Sequence, residues 1–142
     1  MTPDEEKKLY LTGIQLFNEH EFFEAHEVWE DVWHAAYGKK QKFYQGLIQC
    51  AVALEHYRRS NPRGVLGLSR RYPPKFREIP PVFLGLDVKG FLAEMARCLG
   101  PVIGAETLPA AGEIELDLAT TPKIVLAYDP FENGEAERLR AG

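Results

Sequence analysis

The run from Lys40 to Ser60 constrains this chain more than any other feature. Over twenty-one residues without a proline, Phe43, Leu47, Ile48, Cys50, Ala51, Val52, Ala53 and Leu54 cover most of a helical circumference. A helix that is apolar nearly all round has to be wrapped by others. The run therefore predicts the central helix of an all-α bundle. With 142 residues and 45% hydrophobic content, the chain suffices for a real core without covalent staples. Cys50 and Cys98 both fall in apolar helical stretches, where free cysteine packs as a small hydrophobe, so no disulfide framework is expected.

The other helices are marked by their ends. Thr2 as N-cap, Pro3 at the first helical position and Glu5 three residues after the cap form a capping box, and Asp4, Glu5 and Glu6 suit the positive end of the macrodipole. Leu9, Gly13, Leu16 and Phe17 keep helical spacing up to Asn18. A second helix is expected from about Glu21 to Tyr37, stopped by Gly38 with Lys39 and Lys40. Asn61-Pro62 opens a fourth helix, which should lose its regularity at Pro73-Pro74, leaving residues 73 to 86 as connection. Asp87 caps a fifth, Val88 to Leu99, closed by Gly100-Pro101. The expectation is thus a compact bundle of about five helices over residues 1–101. Residues 102–142 read as an extended arm, with β-like runs at Ile114–Leu118 and Ile124–Leu126 and disorder after about Asp129. Gly13 and Ala25, twelve residues apart and flanked by Leu9, Leu16 and Trp29, resemble the close-contact pattern of a tetratricopeptide-like hairpin. No full second copy follows, so a solenoid is not expected.

Charge is segregated. Residues 1 to 34 hold nine acids and two lysines, whereas residues 39 to 77 hold ten basic residues and Glu55 as their single acid. Attraction between the acidic first hairpin and the basic middle, within the fold or between subunits of a homo-oligomer, is the plain interpretation. A formal charge of −4 argues against nucleic acid as the main partner. The first residues show neither a basic n-region nor an apolar h-region, and no run has the length of a membrane span, so the expected compartment is the cytoplasm.

The informative segment is Phe22 to His34. On a helix, Phe22, Ala25, Trp29, Val32, Trp33 and Ala36 form an apolar face, His26 and Glu30 lie on its margin beside Trp33, and Glu24, Glu27 and Asp31 point to solvent. His26, Glu30 and His34 follow one another at i+4, so one carboxylate can reach two imidazoles. On the central helix Gln45, Gln49 and His56 share a stripe. A buried polar group left unpaired costs roughly 1–3 kcal/mol, so this stripe needs a partner. The expectation is that His26, Glu30, Gln49 and His56 converge between the second and third helices, with Tyr44, Gln45 and His34 nearby.

This text resembles the prokaryotic family catalogued as domain of unknown function 309, whose hallmark is His-x-x-x-Glu-x-x-Trp or Tyr. Here that hallmark is His26, Glu30 and Trp33, accompanied by Phe23-Glu24-Ala25-His26-Glu27, Phe43-Tyr44-Gln45-Gly46-Leu47-Ile48-Gln49, Asn61 with Gly64, and Leu84-Gly85-Leu86-Asp87. The resemblance spans residues 9 to 99 and implies an all-helical fold with a metal-binding role, without a defined reaction. Glu19-His20 stands where many members turn with glycine, and Pro73-Pro74 interrupts a helix that runs longer elsewhere.

Three readings follow. Two histidines and a carboxylate, His26, His56 and Glu30, suit zinc or iron, with Trp33, His34, Tyr44, Gln45 and Gln49 as the surrounding shell. In the second reading Glu30 is a buried carboxylate neutralised by histidine and glutamine, a network that sets how two helices pack. In the third the chain is a binding or scaffold module that uses Arg58, Arg59 and Arg63, continued by Arg70 and Arg71, to hold an anion or an acidic partner protein. Neither cysteine has an activating base in sequence and no Ser-His-Asp pattern is visible, so nucleophilic catalysis is not expected.

Overall fold

The computed structural model describes residues 1–139. Its elements are α1 (Pro3–Asn18), α2 (Phe22–Ala35), α3 (Gly38–Arg58), α4 (Pro62–Lys75), β1 (Val82–Phe83), β2 (Leu86–Asp87), α5 (Val88–Ile103), a 3-10 turn at Leu118–Thr120, and α6 (Glu135–Arg138). The fold is a compact helical bundle with α3 at its centre, against which α2 and α4 pack while α1 pairs with α2. Fully buried residues of α3 include Phe43, Tyr44, Leu47, Cys50, Ala51, Ala53 and Leu54, as an all-round apolar helix requires.

The caps read from sequence are formed. Thr2, Asn61 and Asp87 each accept from the backbone N–H three residues on, at Glu5, Gly64 and Gly90. Two expected breaks are not. α4 runs through Pro73-Pro74 to Lys75, and α5 runs through Gly100-Pro101 to Ile103. Each proline forfeits a helical N–H, but Val65, Leu68, Tyr72 and Phe76 keep one buried stripe across Pro73-Pro74, and Leu99 and Val102 do the same across Pro101. Phe76 fits because Gly46 has no side chain; a Cβ there would stand 2.5 Å from its ring. Gly13 plays the same part for Trp29, whose indole N–H donates to the Tyr10 carbonyl at 3.2 Å.

The connection after α4 also holds a short hairpin, Val82 opposite Asp87 and Phe83 opposite Leu86. Its two loop residues, Leu84 and Gly85, both have positive φ, the geometry of a two-residue type I′ turn. Leucine accepts that strain because it is wholly buried and its backbone is held at both ends. Tyr10 donates its hydroxyl to the Leu84 carbonyl, and the Leu84 N–H donates to Glu135.

The β-like runs at 114–118 and 124–126 are not strands, and the chain beyond Asp129 includes the short helix α6; the part of the arm expectation falling on residues 140–142 lies outside the described residues. Side chains stand in for strand partners along the arm. Asn18 donates to the Ile124 carbonyl and accepts its N–H, while Ser60 does the same for Ile114. Ile124 and Ala136 are thereby carried into the core. No helix among the described residues is long and apolar enough to cross a membrane.

Candidate functional site

α2 buries Phe22, Ala25, Trp29 and Val32, which leaves His26, Glu30 and Trp33 at the margin and Glu24, Glu27 and Asp31 exposed, as the helical wheel requires. The His26 ring is held at both nitrogens. Nδ1 donates to the Phe23 carbonyl at 2.7 Å, and Nε2 meets Glu30 Oε1 at 2.7 Å. The Glu30 side chain is 41% exposed, so it is no buried carboxylate, and its partner among the described residues is His26 alone. His34 is exposed and stacks on Trp33 instead, with ring centroids 4.7 Å apart. The two-imidazole arrangement is therefore not formed.

His56 approaches from α3. Its Nδ1 lies 3.1 Å from the Asn61 side-chain nitrogen, and since Asn61 uses its oxygen to cap α4, that nitrogen is the donor. The neutral His56 ring consequently carries its hydrogen on Nε2. Burial lowers the His56 pKa, the Arg59 charge lowers it further, and Glu55 opposes both. Gly64 makes room for the ring, as a Cβ there would lie 2.4 Å from His56 Cγ.

His26 and His56 face one cavity of about 310 Å³, whose wall also includes Phe23, Val52, Glu55, Arg59 and Asn61. Glu30 is not part of that wall. Arg59 joins it through two contacts, Nε to Glu55 Oε2 at 2.7 Å and the guanidinium carbon 5.8 Å from the Phe23 ring centre. Arg58 takes the other oxygen of Glu55 at 2.8 Å and also donates to the His20 carbonyl. The arginine strip is thus divided: Arg58 and Arg59 share one carboxylate, while Arg63, Arg70 and Arg71 stand exposed on α4.

Tyr44 is not near this site. It lies in a buried cluster that the sequence reading missed, in which Lys40 Nζ meets Glu6 Oε1 and Oε2 at 2.8 and 2.7 Å and the Tyr44 hydroxyl donates to Glu6 Oε2 at 2.6 Å. Lys40 also donates to the Ala136 carbonyl. The signal in sequence was slight: Lys40 and Tyr44 are one turn apart on the helix that has to be most buried. Gln45 is half-buried on α3, and Gln49 keeps its side-chain oxygen buried without a hydrogen-bond partner. The indole N–H of Trp33 on the facing helix is likewise buried and unmatched, as is His20 Nε2.

Among the described residues no group of three or more His, Cys, Asp or Glu side chains is placed to hold a metal ion. His26, Glu30 and His56, the set expected for zinc or iron, do not form such a group: Glu30 pairs with His26 outside the cavity wall that His26 and His56 share. Burial raises the Cys50 and Cys98 thiols above their ordinary pKa, which leaves them poor nucleophiles.

The stretch that holds His26, Glu30, Trp33, His56 and Asn61 also carries the match to known proteins: residues 10–68 fit the family described as Domain of unknown function (DUF309). That segment is similar to DUF309. It spans α1 from Tyr10 through α4 as far as Leu68, so the whole cavity wall lies inside it, whereas α5 and the arm lie outside. Similar proteins include an uncharacterized protein of Aquifex aeolicus (strain VF5), 26% identical over 114 residues that cover 80% of this chain and 33% of that protein. Another is the uncharacterized protein YpuF of Bacillus subtilis (strain 168), 41% identical over 59 residues that cover 40% of this chain and 34% of that protein. The chain thus spans about a third of the length of the curated relatives it matches. The DUF309 description assigns no activity, so the site's chemistry has to be argued from its own atoms.

Proposed function

We propose that the chain is a helical binding module whose DUF309 segment holds a small ligand with an apolar body and an anionic head in the cavity between α2, α3 and the start of α4. The observation that carries this reading is the make-up of one wall. Phe23 and Val52 offer apolar surface, while His56, Arg59 and Asn61 bring polar groups to the same 310 Å³ space. That volume is at the small end of the range typical of ligand sites.

An anionic head is favoured by the local charge. Arg58 and Arg59 share the single carboxylate of Glu55, which leaves one positive charge uncompensated at the rim. His56 adds a neutral N–H donor at Nε2, since Asn61 occupies its other nitrogen. In this reading the His26–Glu30 pair orients the ring at the wall, and the α1–α2 hairpin, closed by Trp29 over Gly13, is the tetratricopeptide-like support of that wall in a cytoplasmic protein.

The test is an NMR titration of phenylacetate and of its amine counterpart phenethylamine into the full chain, followed at the His26 and His56 ring protons. Saturable shifts are expected for phenylacetate alone, weakened about tenfold or more in Arg59→Gln, as fits loss of a charge-assisted hydrogen bond. Equal responses to both compounds, or shifts that leave the two rings untouched, would remove the reading.

A further inference from the structure

We infer that a second site, for a small ligand carrying two or more phosphate groups, lies in the cleft between the start of α3 and the end of α4. This cleft, about 590 Å³ in volume, is lined by Lys39 and Lys42 from α3 and by Lys75 and Arg77 at and just beyond the end of α4. Four cations face one acid, Glu78, within a chain whose formal charge is −4. None of the four forms an ion pair among the described residues.

The contrast with the other basic residues of the middle segment is what makes the cleft informative. Lys40 turns inward to Glu6, and Arg58 and Arg59 are held by Glu55. The cations of the cleft have no such internal partner, although they converge on one concavity. Lys39 and Lys42 also stand against the local field. They occupy the first turns of α3, where the macrodipole is positive and disfavours a cation. That first turn contains no acid, and the residue before it is a tyrosine, not one of the short oxygen-bearing residues that accept from helix N–H groups. A bound anion relieves the repulsion among the lysines and meets the positive end of α3 together.

The number of cations selects the ligand. One carboxylate meets a quarter of the four positive charges and one sulfate meets half of them, whereas two linked phosphates, with about three to four negative charges near pH 7, match them within a single cleft. A polynucleotide would have to lie beyond the cleft on a chain of net negative charge, where repulsion is screened only over about 8 Å at physiological salt. The site is separate from the cavity of His26 and His56, with which it shares no residue.

The experiment is isothermal titration of inorganic pyrophosphate into the full chain at physiological salt without divalent metal, with sulfate as the single-anion control. Amide NMR of the wild type locates the binding. Two variants are compared, Lys39→Gln/Lys42→Gln/Lys75→Gln in the cleft and Arg63→Gln/Arg70→Gln outside it. Saturable binding with shifts at Gly38 to Lys42, weakened about tenfold or more in the lysine variant and unchanged in the arginine variant, is the expected result. No saturable binding by the wild type overturns the inference, as do shifts that avoid the cleft. Equal weakening in both variants overturns it too, because binding then follows overall charge. So does a short single-stranded RNA that binds more tightly than pyrophosphate and is weakened by both sets of substitutions, which would assign the surface to a polyanion track. Should the lysine variant lose its fold by circular dichroism, the wild-type shift map decides.

Discussion

Two pairs built on a carboxylate sit at different places in this bundle and have opposite characters. Glu6 and Lys40 come from α1 and α3, lie thirty-four residues apart in the chain, and are both 4% exposed. His26 and Glu30 are one turn apart on a single helix, with side chains 18% and 41% exposed. The first pair is withdrawn from water and completed by Tyr44 and by the Ala136 carbonyl, so each charge depends on the other. The second is close to solvent, where even a charged pair contributes little to stability. In the binding reading proposed above, this second pair serves to orient a ring on the cavity wall and not to hold the fold. The buried pair, by contrast, ties the first helix, the central helix and the returning arm to one point.

Removing half of the buried pair should have the largest effect. Lys40→Met is expected to destabilise by about 3–5 kcal/mol in urea unfolding, since it takes the ammonium away from a buried carboxylate, and Glu6→Leu added to it should recover most of that loss. A loss under about 1 kcal/mol would erase the distinction between the two pairs. Gly64→Ala tests how much the cavity side tolerates. Its Cβ would meet His56 Cγ at 2.4 Å, and an expected cost of about 1–3 kcal/mol in thermal melts should be accompanied by loss of the Asn61–His56 hydrogen bond and of phenylacetate binding.

A smaller effect is expected from pH. His56 binds its proton less tightly in the folded chain than at the ordinary histidine value of 6.5, because burial and Arg59 disfavour its charged form. Between the folded and ordinary values the unfolded state therefore binds more protons, and stability rises with pH. The contribution is present above 6.5 and is lost as pH falls through the lower folded value. Denaturation of His56→Gln across that range should show a shallower slope than the wild type; parallel curves would mean that the ring is not held neutral. Smallest of all, Glu30→Gln should change stability by no more than about 1 kcal/mol. A cost near that of Lys40→Met would make the exposed pair a structural device and withdraw the reason for treating it as part of a site.

What could be read from sequence was local. Caps at Thr2, Asn61 and Asp87 depend on residues three positions apart, and the faces of α2 follow from helical spacing, so the margin of His26, Glu30 and Trp33 was legible. The prolines misled because their cost is local while the offset is not: burial of Tyr72, Phe76 and Val102 against other elements carries α4 and α5 past them. The arm misled for a similar reason. Its apolar residues suggested strands, but its backbone groups are satisfied by Asn18 and Ser60, each more than fifty positions away.

The sequence alone thus determined a helical bundle with a central helix apolar over most of its circumference, the ends of most helices, and the pair of residues at the margin of α2. Tertiary structure decided which polar groups meet. It sent Tyr44 to Glu6 instead of to the histidines, kept Glu30 off the cavity wall, and brought His56 and Arg59 to the cavity that His26 faces. The physical reason is that helical periodicity sets which way each side chain points from its own axis. The partner it finds depends on the rotation and approach of a second helix, set by contacts such as Phe76 on Gly46 that no local pattern encodes.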